Sequence, residues 1–296
     1  MNPYISLAKP ILACPACKAQ LQNDNDRFLC NSCNLKYKVN SDGQLDLFLQ
    51  QDIQMSLDTT LYAACYREPE YPGFPKTYDH DLVKQSDGLF PKGRILMGNL
   101  PKARNAGAFC VDIGCGAMTQ EPFIKRAGYT YLGFDCENPI APILGDAHAI
   151  PFTSESVELA TSYASFEHFR NPWVVANEAY RVLKPGGYFH GWVAFIEGFH
   201  YSYYHMTHWG IGAVLSGAGF EVKMLEPDVG NLWFILHNMF PRMPNNICKV
   251  AASPMNALHR AWFSFGSALT GKKASQEQAR RLKIPGGIMF IAKKPE

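Results

Sequence analysis

The amino-acid sequence predicts an α/β fold: a sheet with helices on both faces, a small cysteine-stapled module ahead of it, and a helical insertion before its last strand. Three observations carry this expectation. Apolar, strand-like runs alternate with helical patterns between residues 106 and 225. The first of those runs opens directly into a glycine pair, Gly114 and Gly116. Two Cys-x-x-Cys pairs fall within the first fifty residues.

With 296 residues, 47% hydrophobic and 18% charged, the chain has material for a packed core and lacks the composition of a disordered one. Its formal charge, 28 − 26 = +2, announces no nucleic-acid or membrane partner. The distribution is uneven. From Arg242 to the C-terminus ten Lys/Arg stand against Glu277 and Glu296, a net of 10 − 2 = +8, while residues 1–241 carry 18 basic and 24 acidic side chains, a net of −6. Such asymmetry marks either an anionic partner or the solvated faces of helices. No basic, apolar leader precedes Cys14, and the longest run without Asp, Glu, Lys or Arg, Gly198–Phe220, is rich in Gly, His, Tyr and Ser. A cytoplasmic protein without a transmembrane segment is expected.

Cys14-Pro-Ala-Cys17 and Cys30-Asn-Ser-Cys33 are separated by twelve residues. Two such knuckles place four thiolates at the corners of a tetrahedron, the geometry zinc prefers. Short strands at 19–23 and 27–29, joined by a turn at Asp24-Asn25-Asp26, complete a zinc ribbon over residues 1–50. Disulfides or an iron–sulfur cluster are the alternatives; zinc is preferred because a small hydrophilic module needs a staple. Four Cys ligands leave no open position, so the Zn2+ is expected to be structural. Five basic and four acidic residues give the module no face for gripping phosphates. A strand–turn–strand follows over Leu35–Leu47, with Asp42-Gly43 at the turn. The whole segment resembles the small zinc-ribbon proteins and domains that accompany methyltransferases.

Residues 51–105 are interrupted by Pro69, Pro72, Pro75, Pro91 and Pro101. Short helices around Ile53–Cys65 and His80–Leu100 are expected there, in a helical linker or cap. Phe109–Ile113 then forms an apolar strand running into Gly114-Cys115-Gly116, with a helical pattern from Thr119 to Ala127. A strand, a glycine turn and a helix start make a nucleotide-type site in which backbone N–H groups point at the ligand. The next strand, Tyr131–Asp135, ends in an acid 21 residues after Gly114, the place for a carboxylate that accepts ribose hydroxyls. Leu144-Gly145-Asp146-Ala147 marks a third strand edge, and Val157–Ser162 a fourth strand leading to Tyr163. Leu183-Lys184-Pro185-Gly186-Gly187 reads as a turn into strand Tyr188–Ile196. An NAD site would want Gly-x-Gly-x-x-Gly, and Thr119 stands where its third glycine belongs.

As an ordered set over residues 106–225, these motifs resemble the class I S-adenosylmethionine-dependent methyltransferases, of the type 11-like group, with their Rossmann-like sheet. The resemblance implies S-adenosyl-L-methionine as methyl donor. It implies that Asp112 orients the methionine ammonium, that Gly114, Cys115 and Gly116 let the backbone approach, and that Asp135 holds the ribose. Asp146 and Ala147 would meet the adenine, and Tyr163 would border the transfer channel. One position departs from the pattern: the family's frequent third glycine is Met118 here.

After the fifth strand, Glu197–Gly210 concentrates aromatic and imidazole groups, a candidate substrate wall. A hydroxyl acceptor needs a base that titrates near the operating pH, usually histidine. His205 is the first candidate, with His208 and His168 beside it. A helix over Trp209–Ala218 leads to the sixth strand, and residues 106–296 read as one methyltransferase domain with an insertion at 227–285 before the last strand, 286–292. The apolar runs 232–236 and 258–265 are expected to be helices capping the pocket. For residues 232–285, ordinary packing or a homodimer is the first expectation and contact with an anionic lipid surface the second. The leading function is methyl transfer to a small-molecule acceptor: a metabolite, glycan or natural-product precursor. An RNA or rRNA methyltransferase is the alternative suggested by the ribbon, and the absent basic face speaks against nucleic acid. A non-catalytic zinc-ribbon scaffold is the third reading, and the intact Asp112, Asp135 and Asp146 count against it.

Overall fold

The computed structural model describes residues 2–24, 27–53, 100–196, 201–227, 235–236, 239–240, 242–270 and 286–296. Nearly all of the two expected linker helices lies outside the described residues, as do 228–234 and 271–285 of the insertion.

Helix α1 (Pro3–Ala8), which the sequence reading did not anticipate, opens the chain with Asn2 as its cap. Four short strands follow: β1 (Gln22–Asp24), β2 (Arg27–Leu29), β3 (Lys36–Val39) and β4 (Leu45–Asp46). The alternating part comprises β5 (Phe109–Ile113), α2 (Glu121–Arg126), β6 (Thr130–Asp135), β7 (Ile143–Leu144), β8 (Val157–Tyr163), α3 (Pro172–Val182) and β9 (Leu183–Ala194). It closes with α4 (His208–Gly217), β10 (Glu221–Pro227), α5 (Asn245–Thr270) and β11 (Gly287–Lys293).

All these strands form one sheet, in the order β1-β2-β3-β4-β7-β6-β5-β8-β9-β11-β10. From β4 to β9 neighbouring strands run parallel, and β11 lies antiparallel between β9 and β10. The chain order reverses between β5 and β8, which makes the carboxyl ends of those strands the natural ligand crevice of an open α/β sheet. Every residue of the central strand β8 is buried, as in a sheet covered on both faces, rather than alternating between core and solvent.

The ribbon strands are not a separate sheet. Leu45 pairs with Ile143 and Asp46 with Leu144, and Phe28, Tyr37, Leu45 and Leu47 share one core with Phe134 and Phe152. The Gln44 side-chain amide donates to the carbonyls of Asn138 (2.9 Å) and Ala141 (2.7 Å), in the loop that follows Asp135. Lys18 donates to Glu178 of α3 at 2.8 Å, and Arg181 donates to the same carboxylate at 2.7 and 2.9 Å. Arg181 also reaches the carbonyls of Ile150 and Phe152.

One expected turn takes a different form. Val157 pairs with Leu183 and Leu159 with Tyr188, so Lys184–Gly187 bulge out within β9 opposite Glu158 instead of preceding the strand. Gly186 makes the bulge feasible with φ +71°, in the left-handed region that favours glycine. The expected helix at 258–265 lies inside the longer α5.

Candidate functional site

A cleft of about 610 Å³ opens at the carboxyl ends of β5, β6 and β8. Asp112, Gly114, Cys115, Gly116, Asp135 and Tyr163 all line it, which brings six of the expected donor-site residues together. Asp112 is buried one residue before the end of β5. Tyr131 Oη donates to its Oδ2 at 2.8 Å and Thr161 Oγ1 to its Oδ1 at 2.7 Å. Burial pushes this carboxyl up to about 6, because two neutral hydroxyl donors only partly replace water. A cation in the cleft would relieve that cost.

Asp135 ends β6 with its Oδ2 accepting the Gly116 N–H at 2.9 Å and its Oδ1 accepting the Glu137 N–H at 3.1 Å. The carboxylate thus ties the glycine loop to the second strand while keeping lone pairs for a ligand hydroxyl. Gly114 sits at φ +72°, and a Cβ there would come within 2.5 Å of Ser165 Oγ, so side chain and turn are incompatible. Met118 adopts φ +54°. The backbone turn of the missing third glycine therefore survives in a residue that pays about 1 kcal/mol or more for it, and the Met118 side chain packs against the cluster containing Ile124 and Tyr131.

Asp146 and Ala147 stand at the carboxyl end of β7, outside the lining of this cleft. Asp146 caps the short 3-10 turn Ala147–Ala149, accepting the His148 N–H at 2.9 Å and the His148 ring at 2.6 Å. That ring contact holds the Asp146 carboxyl below its usual range, and His148 Nε2 in turn accepts the Asn171 N–H at 3.0 Å.

The three histidines separate. His168 lines the cleft, and its Nδ1–H donates to the Tyr201 carbonyl at 2.7 Å, which makes Nε2 the basic nitrogen. His205 is exposed and His208 begins α4, and neither lines the cleft. Tyr163 Oη lies 2.9 Å from Nδ1 of His190. The candidate wall segment contributes Tyr201 to the lining, while sequence reasoning missed Ser165 and Phe169 on the walls, and Thr161 and His190 behind them. The last two were detectable as polar residues inside otherwise apolar strands.

At the N-terminus the sulfurs of Cys14, Cys17, Cys30 and Cys33 lie within 4.8 Å of one another. Each knuckle closes on a left-handed residue, Lys18 (φ 64°) and Asn34 (φ 57°). The Cys14 N–H bonds to the Ala19 carbonyl at 2.8 Å and the Cys30 N–H to Leu35 at 2.9 Å, the same return in both. The neighbouring Cys17 sulfur pushes the Cys33 thiol up to about 12, since crowded thiols cannot all ionise without a cation. Four converging soft sulfurs with no carboxylate among them suit zinc in a closed, structural site.

A methyltransferase domain family matches residues 111–190, the span from β5 to the middle of β9. The chain is 28% identical over 120 residues to an uncharacterized methyltransferase of Mycobacterium leprae, covering 36% of this chain and 39% of the relative. An uncharacterized methyltransferase of Mycobacterium marinum is 30% identical over 95 residues, 28% of this chain and 37% of the relative. The chain thus spans less than two-fifths of the length of these curated relatives. Among solved structures, an S-adenosylmethionine-dependent methyltransferase from Mesorhizobium loti is similar with a TM-score of 0.42 and 15% identity, over 67% of this chain and 95% of that one. The glycine loop and both strand-end acids lie inside the span that the methyltransferase-domain family matches.

Proposed function

We propose that this protein is an S-adenosyl-L-methionine-dependent methyltransferase acting on a small-molecule acceptor, with a structural zinc ribbon. The observation that carries the reading is the convergence of Asp112, Gly114, Gly116 and Asp135 on one cleft. The wholly buried Asp112 carboxylate fits the cationic ammonium of the donor, and the cradle left by Gly114 fits its close backbone approach. Asp135 fits the ribose hydroxyls. When bound there, S-adenosyl-L-methionine supplies an electrophilic sulfonium methyl group.

The chain's own residues then position and exclude. Tyr163 and Ser165 wall the cleft beside Asp112, and Phe169 and Tyr201 narrow it and displace water, which favours an in-line approach of acceptor to methyl. An acceptor that must lose a proton would give it to His168 Nε2, because this ring faces the cleft and its Nδ1–H is committed to Tyr201. The first candidate, His205, cedes that role because it stands outside the cleft. Asp146 and Ala147 remain proposed neighbours of the adenine from the next strand end. Residues 1–50, 51–105 and 106–296 are proposed as ribbon, linker and catalytic domain.

Isothermal titration with S-adenosylmethionine and S-adenosylhomocysteine tests the reading. Micromolar binding that Asp135→Ala weakens about tenfold, a loss of about 1.4 kcal/mol, is expected. No binding to folded, zinc-loaded protein would overturn it in favour of a scaffold.

A further inference from the structure

Helix α5 runs for 26 residues, and among the described residues much of its apolar side is exposed. Cys248 and Ala252 seat its first turns, both essentially fully buried. Ile247, Met255, Leu258, Trp262, Phe265 and Leu269 are all at least half exposed, with Trp262 at 75% and Leu269 at 70%. At 3.6 residues per turn these six positions fall within an arc of about 80°. An apolar stripe this long, on one side of one helix, is far from the scattered single exposures of an ordinary surface.

The charge pattern says what covers it. From Arg242 to Gln276 the sequence holds Arg242, Lys249, Arg260, Lys272 and Lys273 and no acidic residue at all. At 3.6 residues per turn, positions Lys249 and Arg260 fall on the side of α5 opposite the stripe, and no acidic residue of this segment balances them. A surface of opposite charge is attracted by this unbalanced basic segment. No helix among the described residues is long and apolar enough to cross a membrane, so such a helix would lie on the surface and not across it. A Trp, Phe and Leu face backed by basic residues is the composition of helices that rest in the headgroup layer.

We propose that α5 docks this protein on bilayers containing acidic phospholipids, with the Leu258–Trp262–Phe265 stripe seated at the acyl boundary. The basic residues contribute a long-range attraction that salt screens, and the stripe contributes the part that salt leaves. This surface is separate from the donor cleft, so the proposal stands or falls independently of the proposed methyl transfer.

The experiment is vesicle co-sedimentation of the full, zinc-loaded chain with phosphatidylcholine alone and with phosphatidylglycerol added. Partitioning about tenfold stronger onto the phosphatidylglycerol vesicles is expected, reduced by high salt. The double variant Leu258→Glu/Trp262→Glu, at two exposed positions, should lose it while keeping the wild-type melting temperature and S-adenosylhomocysteine binding. Equal partitioning onto both vesicle types, or a variant that sediments like wild type, overturns the proposal. So does a wild-type dimer, seen by analytical ultracentrifugation, that the variant splits into monomers with no vesicle binding in either form; the stripe would then belong to a second copy.

Discussion

Tyr163 Oη lies 2.9 Å from Nδ1 of His190, a ring fully buried in the sheet whose Nε2 has no hydrogen-bond partner among the described residues. The pair is the end of a polar row. Asp112 pairs with Thr161 across β5 and β8, and Thr161 pairs with His190 across β8 and β9. Three polar side chains thus cross the sheet in register, and Tyr163 carries the row into the cleft wall. Its two ionisable ends respond to burial in opposite directions. Desolvation lowers His190 to about 3 and raises Asp112 to about 6.

Those opposite shifts predict a masked pH dependence. The unfolded His190 binds a proton below its ordinary 6.5 while the folded ring stays neutral down to about 3, so its contribution to stability is lost as pH falls through that window. Asp112 does the reverse: folded protein holds the proton between 3.8 and about 6, so stability is lost as pH rises through it. Between about pH 4 and 6 the two slopes oppose each other. His190→Asn keeps a polar atom near the Nδ1 position and removes one slope. Relative to wild type, its melting temperature should improve as pH is lowered from 7 to 5; a constant difference would refute the assignment.

Donor binding should carry the Asp112 titration alone. An ammonium group needs the ionised carboxylate, so S-adenosylhomocysteine affinity should weaken as pH falls through about 6. Asp112→Asn should bind at least about tenfold more weakly at pH 7.5 and show a flatter profile. The same variant should raise the melting temperature of the ligand-free protein at pH 7.5, because it removes a buried charge worth on the order of 3 kcal/mol. Calorimetry at four pH values, with thermal melts on the same samples, reads both effects.

Met118→Gly probes the altered glycine loop. Glycine would relieve the φ +54° strain and lose the packing of the methionine side chain. Donor affinity should change by less than about threefold, since the turn is already in the glycine conformation, while stability should fall by about 1 kcal/mol. A large gain in affinity would mean that the turn is deformed by Met118.

Zinc removal should be felt at the donor site. Gln44 holds the Asn138 and Ala141 carbonyls just beyond Asp135, and β4 pairs with β7 just before Asp146. Chelation should therefore lower the melting temperature and also raise hydrogen exchange at 138–145. A ribbon that melts while 138–145 keeps its protection would show the two to be uncoupled.

The chemistry of the core was legible because it is written in contiguous motifs. Phe109–Gly116 and Tyr131–Asp135 each hold strand, bend and functional residue within a few positions, and the structure places them as expected. What was not legible depends on long-range registry. β4 is two residues long, too short for a period-two pattern, so nothing in Leu45-Asp46 announced a parallel pairing with β7. The aromatic run 201–209 drew attention to His205 by composition, yet the chain there turns His168 and Tyr201 to the cleft and leaves His205 exposed. Thr161 and His190 matter through being side by side, which no local window reports.

The seam between β4 and β7 also bears on solubility. β7 is a two-residue strand whose outer edge would present unpaired N–H and C=O groups, and β4 occupies that edge. A chain trimmed to begin at residue 106 would lose both the partner strand and the Phe28 and Tyr37 rings that close the core against Phe134 and Phe152. An open parallel edge above bare aromatic surface is a template for other chains. Whatever holds the four cysteines together would thus also guard this sheet against self-association.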